Sequence, residues 1–384
     1  MIYSFFWFNI ICILICWIIY PVCLFLFSRL KKRSLFSNIN FFEEPFISFI
    51  VAAHNEEENI IKRIENLIEV TDLYPFEIII GSDGSTDKTV EIAKKCNHPE
   101  VRVLDFKKNR GRAMVHNDCS EFAKGDILIF TDAETVFCSD FIKLIMRHFT
   151  NAKTGAVAGR IHYLNENESD IGRSAGIYWR YEELIRTCES NLGLLGFGTG
   201  AALAMRKDAY VNIMPNEDID YAATLLAVAK GYYIIYEPKA IAYDYISESF
   251  ESAFKTRIRQ TSRCFKSVLK RLFTKELCLK RFDLFFAALF HKTFRHLTPF
   301  FMIFAFVSNV FLLGQHMLYI TVFFTQLLFY LLAFTGYISR ETYKGRFKVI
   351  FSFPYQFVLY NISRFIGVLK AVFGKEQASY TTIR

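Results

Sequence analysis

Two short apolar runs that end in acidic residues constrain this chain more than any other part of its sequence. Residues 78–83 read IIIGSD, and residues 130–134 read FTDAE. Each reads as a β-strand with carboxylates at its C-terminal end, where ligands bind to an open α/β sheet. Asp83 can accept hydrogen bonds from a nucleoside, while Asp132 and Glu134 can hold a hard divalent cation together with substrate phosphates. The two strand ends therefore indicate a nucleotide-activated substrate.

The segment between Pro45 and Asp244 alternates apolar runs with amphipathic stretches. Helical spacing is clearest at Ile60, Ile64 and Leu67, which fall on one face of a helix. The alternation predicts an α/β fold with a mainly parallel sheet and helices on both faces. Strands are expected at 47–52, 77–81, 101–105 and 127–130, with helices after residue 60, at 86–96 and at 113–122. Neither a P-loop nor a dinucleotide-binding fingerprint is present.

Two long stretches without charged residues predict membrane-spanning helices. Hydrophobic residues make up 52% of the chain, and the excess is concentrated in Ile2–Phe27 and Leu297–Ser339, which contain no Asp, Glu, Lys or Arg. A single crossing takes roughly 20 residues. We therefore expect one transmembrane helix at residues 1–28 and a transmembrane hairpin at 297–339 that turns at Gly314–His316. Residues 349–384 are expected to form an interfacial or a fourth transmembrane helix and a tail.

The basic residues beside these stretches predict their orientation. Lys and Arg cluster at Arg29–Arg33 and at Arg340–Lys348, directly after the two apolar stretches. The positive-inside rule then places the segment between them on the cytoplasmic face of a multi-pass protein of the cell (inner) membrane. A cleaved signal peptide is the alternative for the N-terminus, but no basic region precedes the apolar run and no small-residue cleavage site follows it.

The charge and cysteine patterns favour contact with membrane lipid and exclude several other partners. The net charge of +8 is concentrated near the predicted membrane borders and between Lys255 and Arg281, which anionic lipid explains better than nucleic acid does. The nine cysteines show no CxxC spacing. A disulfide framework or a zinc site is therefore not expected, and reduced thiols fit a cytoplasmic domain.

Seven short motifs follow one another along the chain in an order that resembles a known enzyme family. They read AAHNEE at 52–57, GSDGSTD at 81–87, GRA at 111–113, DAE at 132–134, FGTGAA at 197–202, NEDID at 216–220 and QTSRC at 260–264. In this order they resemble the family 2 glycosyltransferases of the GT-A fold. The similarity is greatest to the membrane-embedded branch that includes cellulose, chitin, hyaluronan and poly-N-acetylglucosamine synthases.

The resemblance implies a role for each matching residue. Asp218 corresponds to the catalytic base, and Asp132 with Glu134 corresponds to the metal motif, which would hold Mg²⁺ or Mn²⁺. Gly200 and Glu217 fall in segments beside the acceptor. The residues expected to contact the nucleotide-sugar are Ala53, Glu56, Asp83, Arg112, Asp132, Gln260 and Arg263.

The chain departs from the family pattern at four of these motifs. Ser82 and Glu134 each stand where an Asp is usual, and Arg112 replaces a Lys. An Arg keeps the positive charge but pairs with phosphate oxygens in a different, bidentate geometry. Cys264 replaces the Trp that stacks on the acceptor sugar in processive synthases, which weakens the case for a polymerase.

Simpler explanations exist for three of the motifs. Asn55 and Glu56 are suited to capping the following helix, and Asp218 is placed to cap a helix after Pro215. Gln260 and Arg263 share one face of a predicted helix. An apolar face opposite them would let that helix lie on lipid without touching substrate; it carries Phe254, Ile258, Phe265 and Val268.

We interpret the chain as a membrane-embedded inverting glycosyltransferase. The expected GT-A nucleotide-sugar-binding domain spans residues 45–250 and is followed by basic interfacial helices at 251–296. It would move a hexosyl or N-acetylhexosaminyl group from a UDP-sugar to a glycan or lipid-linked acceptor in extracellular or capsular polysaccharide synthesis, with export or synthase subunits as possible partners. The alternatives are a membrane-tethered sugar-nucleotide-binding protein without turnover and a polyprenyl-phosphate glycosyltransferase.

Overall fold

A computed structural model of the chain describes residues 1–30, 45–71, 73–165, 170–245, 250–339 and 348–374. The strands are β1 Ile47–Ala53, β2 Phe76–Asp83, β3 Val101–Phe106, β4 Ile127–Asp132, β5 Val136–Phe137, β6 Thr154–Tyr163, β7 Leu203–Arg206 and β8 Tyr233–Asp244. The helices are α1 Ile2–Leu14, α2 Tyr20–Leu30, α3 Ile60–Glu69, α4 Thr89–Lys95, α5 Arg112–Phe122, α6 Phe141–Met146, α7 Asp170–Leu192, α8 Ala222–Ala229, α9 Phe250–Leu272, α10 Phe282–Ala288, α11 Phe294–Val310, α12 Met317–Ile338 and α13 Lys348–Phe373.

One eight-stranded sheet forms the centre of the molecule, in the order β3-β2-β1-β4-β7-β6-β8-β5. β1 pairs in parallel with β2 and β4, β2 with β3, and β6 with β8. β7 is antiparallel to both β4 and β6, and β5 is antiparallel to β8. The predicted α/β fold with a mainly parallel sheet is confirmed. The strand order reverses between β1 and β4, and a crevice forms at such a reversal in open α/β sheets.

Alternating residues of the central strands build a core on each face of the sheet. Ile50 and Ile79 belong to one core, whereas Phe49 and Ile78 belong to the other, and all four are fully buried. Because both faces are covered, these strands are apolar at nearly every position. α5 packs on the first face, and α3 packs its apolar stripe on the second.

The helix expected at 86–96 begins later, at Thr89. Asp87 Oδ1 accepts a hydrogen bond from the Thr89 backbone N–H at 3.0 Å, and Asn55 Oδ1 accepts one from Thr86 N–H at 2.8 Å. These side chains satisfy backbone groups in a loop conformation, which competes with helix formation. Residues 84–88 therefore stay free of the helix and remain at the strand ends.

Among the residues that the structure describes, two helices are long and apolar enough to cross a membrane. They are Ile2–Leu30, in which α1 and α2 join through a π-helical turn at Ile15–Ile19, and α12. Most of each helix is exposed on the protein surface, as lipid-facing helices would be. α11 precedes α12 with a turn at 311–316 between them, as expected for a hairpin, but α11 has only 17 residues. The domain boundaries and the fourth span stay predictions.

The apolar face of α9 packs against protein, which differs from the expectation that it lies on lipid. Ile258, Phe265 and Val268 are all buried. α13 covers this helix so closely that a Cβ added to Gly367 would lie 2.7 Å from the Cβ of Thr261. The sequence pattern of an amphipathic helix does not distinguish a lipid surface from a neighbouring apolar helix.

Candidate active site

The C-terminal ends of β1, β2 and β4 meet at one edge of the sheet and form a cleft of about 380 Å³. We call it the strand-end cleft. The strand register places Ala52 beside both Gly81 and Asp132, so the acidic ends come together. Six of the residues expected to bind sugar nucleotide or metal line this cleft: Ala53, Glu56, Asp83, Arg112, Asp132 and Glu134.

The Asp83 carboxylate is held in place by backbone groups of the loop before α5. Its two oxygens accept hydrogen bonds from the backbone N–H groups of Arg110 and Gly111, both at 2.8 Å. Gly111 has φ 92°, a conformation that favours glycine. Each carboxylate oxygen retains a second lone pair. Asp83 is therefore oriented at the cleft and still able to accept a hydrogen bond from a ligand.

The HNEE segment joins the loops after β1 and β2. Glu57 Oε2 accepts a hydrogen bond from Lys88 N–H at 3.0 Å, and the Glu56 backbone N–H donates to Thr89 Oγ1 at 2.7 Å. The N-cap of α3 is Asn59, whose side chain makes no capping hydrogen bond but donates from Nδ2 to Glu56 Oε2 at 2.8 Å. Asn55 and Glu56 thus precede the N-cap position and connect the loops at the edge of the cleft.

Arg112 connects the metal motif to the predicted base. Its Nη1 donates to both oxygens of Asp132, at 2.9 and 3.0 Å, and its Nη2 donates to Asp218 Oδ1 at 3.2 Å. Burial would raise the pKa of Asp218, but the charges of Arg112 and Arg263 hold it below its ordinary value. Asp218 is therefore an ionised, mostly buried carboxylate beside the strand-end cleft.

Asp218 does not cap a helix. α8 begins at Ala222 and has Tyr221 as its N-cap, without a side-chain capping bond. The Asp218 carbonyl, not its carboxylate, accepts the hydrogen bond from Ala222 N–H at 2.9 Å. The capping explanation for Asp218 is therefore wrong, because its side chain pairs with Arg112 instead.

Further carboxylates surround Asp132 and Asp218. Glu134 is exposed at its surface, but desolvation by the surrounding protein, followed by the charges of Asp244 and Asp132, raises its pKa to about 7. Burial and the charge of Asp218 raise the pKa of Asp220 to about 7. A bound cation would relieve this repulsion, since carboxylate oxygens are the ligands that hard cations prefer.

Asp132 and Glu134 fit a metal that also binds phosphate. Among the described residues there is no group of three or more His, Cys, Asp or Glu side chains that could hold a metal ion. Mg²⁺ is usually bound through one or two carboxylates together with substrate phosphates and water. The two predicted ligands therefore match a cation that completes its shell on the substrate rather than one held by protein alone.

Two buried basic side chains next to this site have no counterpart in the sequence-based predictions. Arg63 donates to Thr131 Oγ1 at 2.6 Å, and burial lowers its pKa to about 9. Burial and then the charge of Arg112 lower the pKa of His116 to about 3, so its ring is neutral. Within the described part of the chain, neither ring nitrogen of His116 has a hydrogen-bond partner. Sequence spacing places both residues on apolar helix faces, where only tertiary contacts show their role.

The two residues expected near the acceptor lie in different surroundings. A Cβ added to Gly200 would lie 2.4 Å from Asp220 Oδ1, so only glycine fits against this acidic segment. Both oxygens of Glu217 are engaged by Arg271 of α9, at 2.8 and 2.6 Å. Contact of Glu217 with an acceptor stays a prediction, and its present partner is α9.

Gln260 and Arg263 lie on α9, as predicted, and connect the base to a second cavity. Arg263 is close enough to lower the pKa of Asp218. The Asp218 backbone N–H donates to Ser267 Oγ, also on α9, at 3.3 Å. Gln260 and Cys264 line the second cavity, which has a volume of about 700 Å³.

A buried ionic cluster beside this second cavity was missed by sequence reasoning. Glu182 is 1% exposed and accepts hydrogen bonds from His291 at 3.1 Å, from Arg295 at 2.8 Å and from Lys292. His291 also contacts Glu189 at 2.9 Å. The partners lie more than one hundred positions apart along the chain, so local spacing carries no signal for them. The only hint was the run of basic residues directly before Leu297.

Comparisons with known proteins agree with the family resemblance and the fold. Residues 48–213 match the family model of Glycosyl transferase family 2. The poly-beta-1,6-N-acetyl-D-glucosamine synthase of Staphylococcus aureus is 29% identical over 272 residues, which are 68% of this chain and 65% of that protein. The synthase of the same name from Staphylococcus epidermidis is 29% identical over 270 residues, 67% of this chain and 64% of that protein. The chain thus spans just under two thirds of the length of these relatives.

A solved structure has the same fold over the whole chain. It is the mannosyltransferase PcManGT from Pyrobaculum calidifontis in complex with GDP-Man and Mn²⁺, with a TM-score of 0.69 and 16% sequence identity. The similarity covers 98% of this chain and 100% of that one. The sheet and helices described above are therefore a GT-A-like arrangement.

Proposed function

We propose that this chain, whose residues 48–213 match the family model of Glycosyl transferase family 2, is a membrane-embedded inverting glycosyltransferase of that family. It transfers a hexosyl or N-acetylhexosaminyl group from a UDP-sugar to a glycan or lipid-linked acceptor in extracellular polysaccharide synthesis. The observation that carries the proposal is the position of Arg112. Its guanidinium contacts Asp132 and Asp218 at the cleft that also holds Asp83.

Each part of the strand-end cleft supports one part of sugar-donor binding. Asp83 is oriented to accept hydrogen bonds from the nucleoside. Asp132 and Glu134 would hold Mg²⁺ or Mn²⁺, which neutralises the leaving diphosphate when bound. Arg112 pairs with carboxylates in the described structure, and phosphate oxygens are competing acceptors for the same N–H groups.

The transfer itself requires one base and no covalent intermediate. Asp218 takes the proton of the acceptor hydroxyl, and the oxygen of that hydroxyl forms a bond to the anomeric carbon of the sugar donor. The bond from that carbon to the diphosphate oxygen breaks, and the nucleoside diphosphate leaves from the opposite face. A single attack of this kind inverts the anomeric configuration. The lowered pKa of Asp218 keeps the carboxylate ionised and ready to accept the proton.

The names of similar proteins support the choice of substrates. The Staphylococcus relatives are named as synthases of an N-acetylglucosamine polymer, which supports a UDP-linked amino sugar.

The location of the catalytic domain on the cytoplasmic face is supported by Arg29 at the end of α2. The other basic residues of both clusters lie outside the residues whose side chains are described. Partner subunits for export are part of this proposal as well.

The alternative is a membrane-tethered protein that binds sugar nucleotide without turnover. It is suggested by the departures from the family pattern at Ser82, Glu134 and Cys264.

Purified full-length protein in detergent should be incubated with a panel of labelled UDP-sugars and GDP-mannose, with Mn²⁺ or Mg²⁺, and nucleotide release should be measured. We expect release with at least one UDP-sugar. Tight binding of a sugar nucleotide without release, across a panel of glycan and lipid-linked acceptors, would support the alternative.

The metal requirement is tested in the same preparation by calorimetry. We expect chelation with EDTA to weaken UDP-sugar binding by at least about tenfold, since the cation links the diphosphate to the protein. Asp132→Ala should have the same effect and should make binding insensitive to EDTA. An unchanged affinity in EDTA would exclude a metal from sugar-donor binding.

A further inference from the structure

The second cavity lies between helices α7, α9, α11 and α13, next to the catalytic segment. Its volume is about 700 Å³. Gln260 and Cys264 of α9 line it, and so does Tyr221, three residues after Asp218. The cavity therefore lies close to the segment that carries the predicted base, whereas the proposed site of the sugar nucleotide is the strand-end cleft.

The lining of this cavity carries an excess of positive charge, and we call it the cationic cavity. Glu182 is its one carboxylate among the described residues. Both Glu182 oxygens are already occupied by basic side chains. Burial would raise the pKa of Glu182, but His291 and Lys292 hold it well below the usual range, so the carboxylate is charged. Five permanently basic side chains surround the cavity: Arg186, Arg257, Lys292, Arg295 and Arg364.

Two of these cations are buried without enough partners. Arg295 is 2% exposed, and its Nε and Nη2 have no hydrogen-bond partner in the part of the chain that the structure describes. Arg364 is 4% exposed, and the one hydrogen bond it makes to the described residues is a long one of 3.5 Å to Tyr178 Oη. A buried guanidinium with unused N–H groups is costly unless an anion pairs with it. These N–H groups are therefore suited to binding an anionic ligand in addition to Glu182.

The positive field extends to the wall of the cavity at Tyr178. Burial raises the pKa of this phenol, and Glu182 raises it further, yet the guanidinium groups of Arg364 and Arg295 hold it below its ordinary value. Buried tyrosines ordinarily shift upward. The direction at Tyr178 shows that the cations outweigh the single carboxylate.

The cavity also adjoins the apolar helices. Trp17 lies in the π-helical turn of the N-terminal candidate span, and its ring is 5.1 Å from the Arg295 guanidinium and 5.3 Å from that of Arg364. Its Nε1 donates to Thr298 Oγ1 of α11 at 3.0 Å. A ligand here meets cations on one side and the apolar helical layer on the other, which suits a charged head group on a hydrophobic chain.

We propose that the cationic cavity binds the phosphate or diphosphate group of a lipid-linked acceptor. This inference rests on the proposed glycosyl transfer and names the acceptor as an anionic phosphate ester instead of a neutral glycan. Guanidinium groups bind phosphate oxygens bidentately, and a phosphate offers enough acceptors for several of the N–H groups that the protein leaves unused. The aromatic rings of Trp179 and Tyr221 supply surface for an attached sugar.

The binding test uses full-length protein in detergent and the fluorescence of its three tryptophans, of which Trp179 lines the cavity and Trp17 adjoins it. Excess UDP and Mn²⁺ are present throughout, so that phosphate does not report on the strand-end cleft. The probes are farnesyl phosphate, farnesol, inorganic pyrophosphate and an N-acetylglucosamine oligomer. We expect saturable binding of farnesyl phosphate and weaker binding of pyrophosphate. Farnesol or the oligomer binding as tightly as farnesyl phosphate would overturn the proposal.

Two variants and one matched control locate the site. Arg257→Gln and Arg364→Gln should each weaken farnesyl phosphate binding by about tenfold, since each removes a charge-assisted contact. Lys255→Gln removes the same charge from α9 outside the cavity, where Lys255 pairs with exposed Glu251, and should leave the affinity unchanged. Thermal unfolding confirms that each variant is folded. Equal affinities in wild type, Arg257→Gln and Arg364→Gln would overturn the proposal.

The outcome remains separable from that of the proposed function. If farnesyl phosphate binds with the expected variant pattern but no UDP-sugar turns over, the cavity assignment stands and the transferase proposal fails. If UDP is released with a neutral oligosaccharide acceptor at a rate that Arg257→Gln and Arg364→Gln do not alter, the transferase proposal stands and the phosphate site fails.

Discussion

At the scale of single residues, Arg112 determines how the strand-end cleft is organised without ligand. One guanidinium pairs with a carboxylate of the predicted metal motif and with the predicted base. Both carboxylates are mostly buried, so the pair stabilises charges that would otherwise repel each other. When a sugar nucleotide and its cation bind, the cation can neutralise the carboxylates. The Arg112 guanidinium is then able to move from the carboxylates to the phosphate oxygens.

The role of Asp218 is tested by Asp218→Asn, which keeps the size of the side chain but cannot take a proton. We expect the rate of sugar transfer to fall by about 10²–10⁴-fold. The affinity for UDP-sugar, measured by calorimetry, should change far less because Asp83 and the metal ligands hold the nucleotide. If rate and affinity fell by the same factor, Asp218 would be a structural partner of Arg112 and not the base.

Whether a contact in the site can be predicted from the sequence depends on how far apart along the chain its two residues lie. Asp83, Asp132 and Glu134 were predicted because each follows an apolar strand, and strand ends of a parallel sheet converge. The pairing of Arg112 with Asp218 joins residues 106 positions apart, and no local pattern specifies it. The same holds for Glu182 and His291, whose contact exists only once α7 and the segment before α11 pack together.

At the scale of elements, a buried ion pair contributes to the attachment of α9 to the catalytic segment. Arg271 of α9 makes two hydrogen bonds to Glu217, whose side chain is only 2% exposed. Arg271→Met leaves a buried, unpaired carboxylate and should cost about 3–5 kcal/mol of unfolding free energy. The measurement is the shift of the thermal unfolding midpoint in detergent.

The paired variant Glu217→Gln with Arg271→Met separates structure from acceptor binding. Removing both charges should recover most of the lost stability, because no buried charge stays unpaired. If Glu217 acts only as the partner of α9, the KM for acceptor should also recover. A restored midpoint with a persistently raised KM would show that Glu217 contacts the acceptor as well.

A second ion pair joins α6 to β8 and makes stability depend on pH. Glu237 accepts hydrogen bonds from His148 at 2.7 Å and from Arg147. Burial would raise the pKa of Glu237, but these bonds lower it to about 2. A lowered pKa in the folded state stabilises the fold above the unfolded value of about 4.3, and this stabilisation is lost as the pH falls toward 2.

Glu237→Gln should therefore destabilise the protein by about 1–3 kcal/mol at neutral pH. The difference in unfolding midpoint from wild type should shrink below about pH 4 and vanish near the folded pKa. Glu91→Gln serves as the control, since Glu91 and Lys95 form an exposed pair on α4 that should contribute little. A difference that stays constant with pH would mean that Glu237 contributes through packing and not through its charge.

At the scale of the whole molecule, the sequence predicted the sheet more reliably than the environment of the helices. β1, β2 and β4 lie close to their expected bounds, because a strand buried on both faces is apolar along its length. α9 was expected on lipid but packs on α13, since an apolar face looks the same in sequence whichever apolar surface covers it. Within the described residues, the N-terminal helix and α12 are the two helices long and apolar enough to cross a membrane, and most of each is exposed.

The orientation of the apolar helices in the membrane can be tested by cysteine labelling. If α11 and α12 form a hairpin that enters from the cytoplasm, the turn between them lies outside, whereas β6 and its neighbouring loop lie inside. Gln315→Cys, in that turn, should react with an impermeant maleimide in intact cells. Lys153→Cys, at the exposed residue before β6, should react only after permeabilisation. The wild-type chain controls for its nine native cysteines, among which Cys23 is exposed. Labelling of Lys153→Cys in intact cells would reverse the orientation and place the strand-end cleft outside, away from the cytoplasmic supply of sugar nucleotides on which the proposed transfer depends.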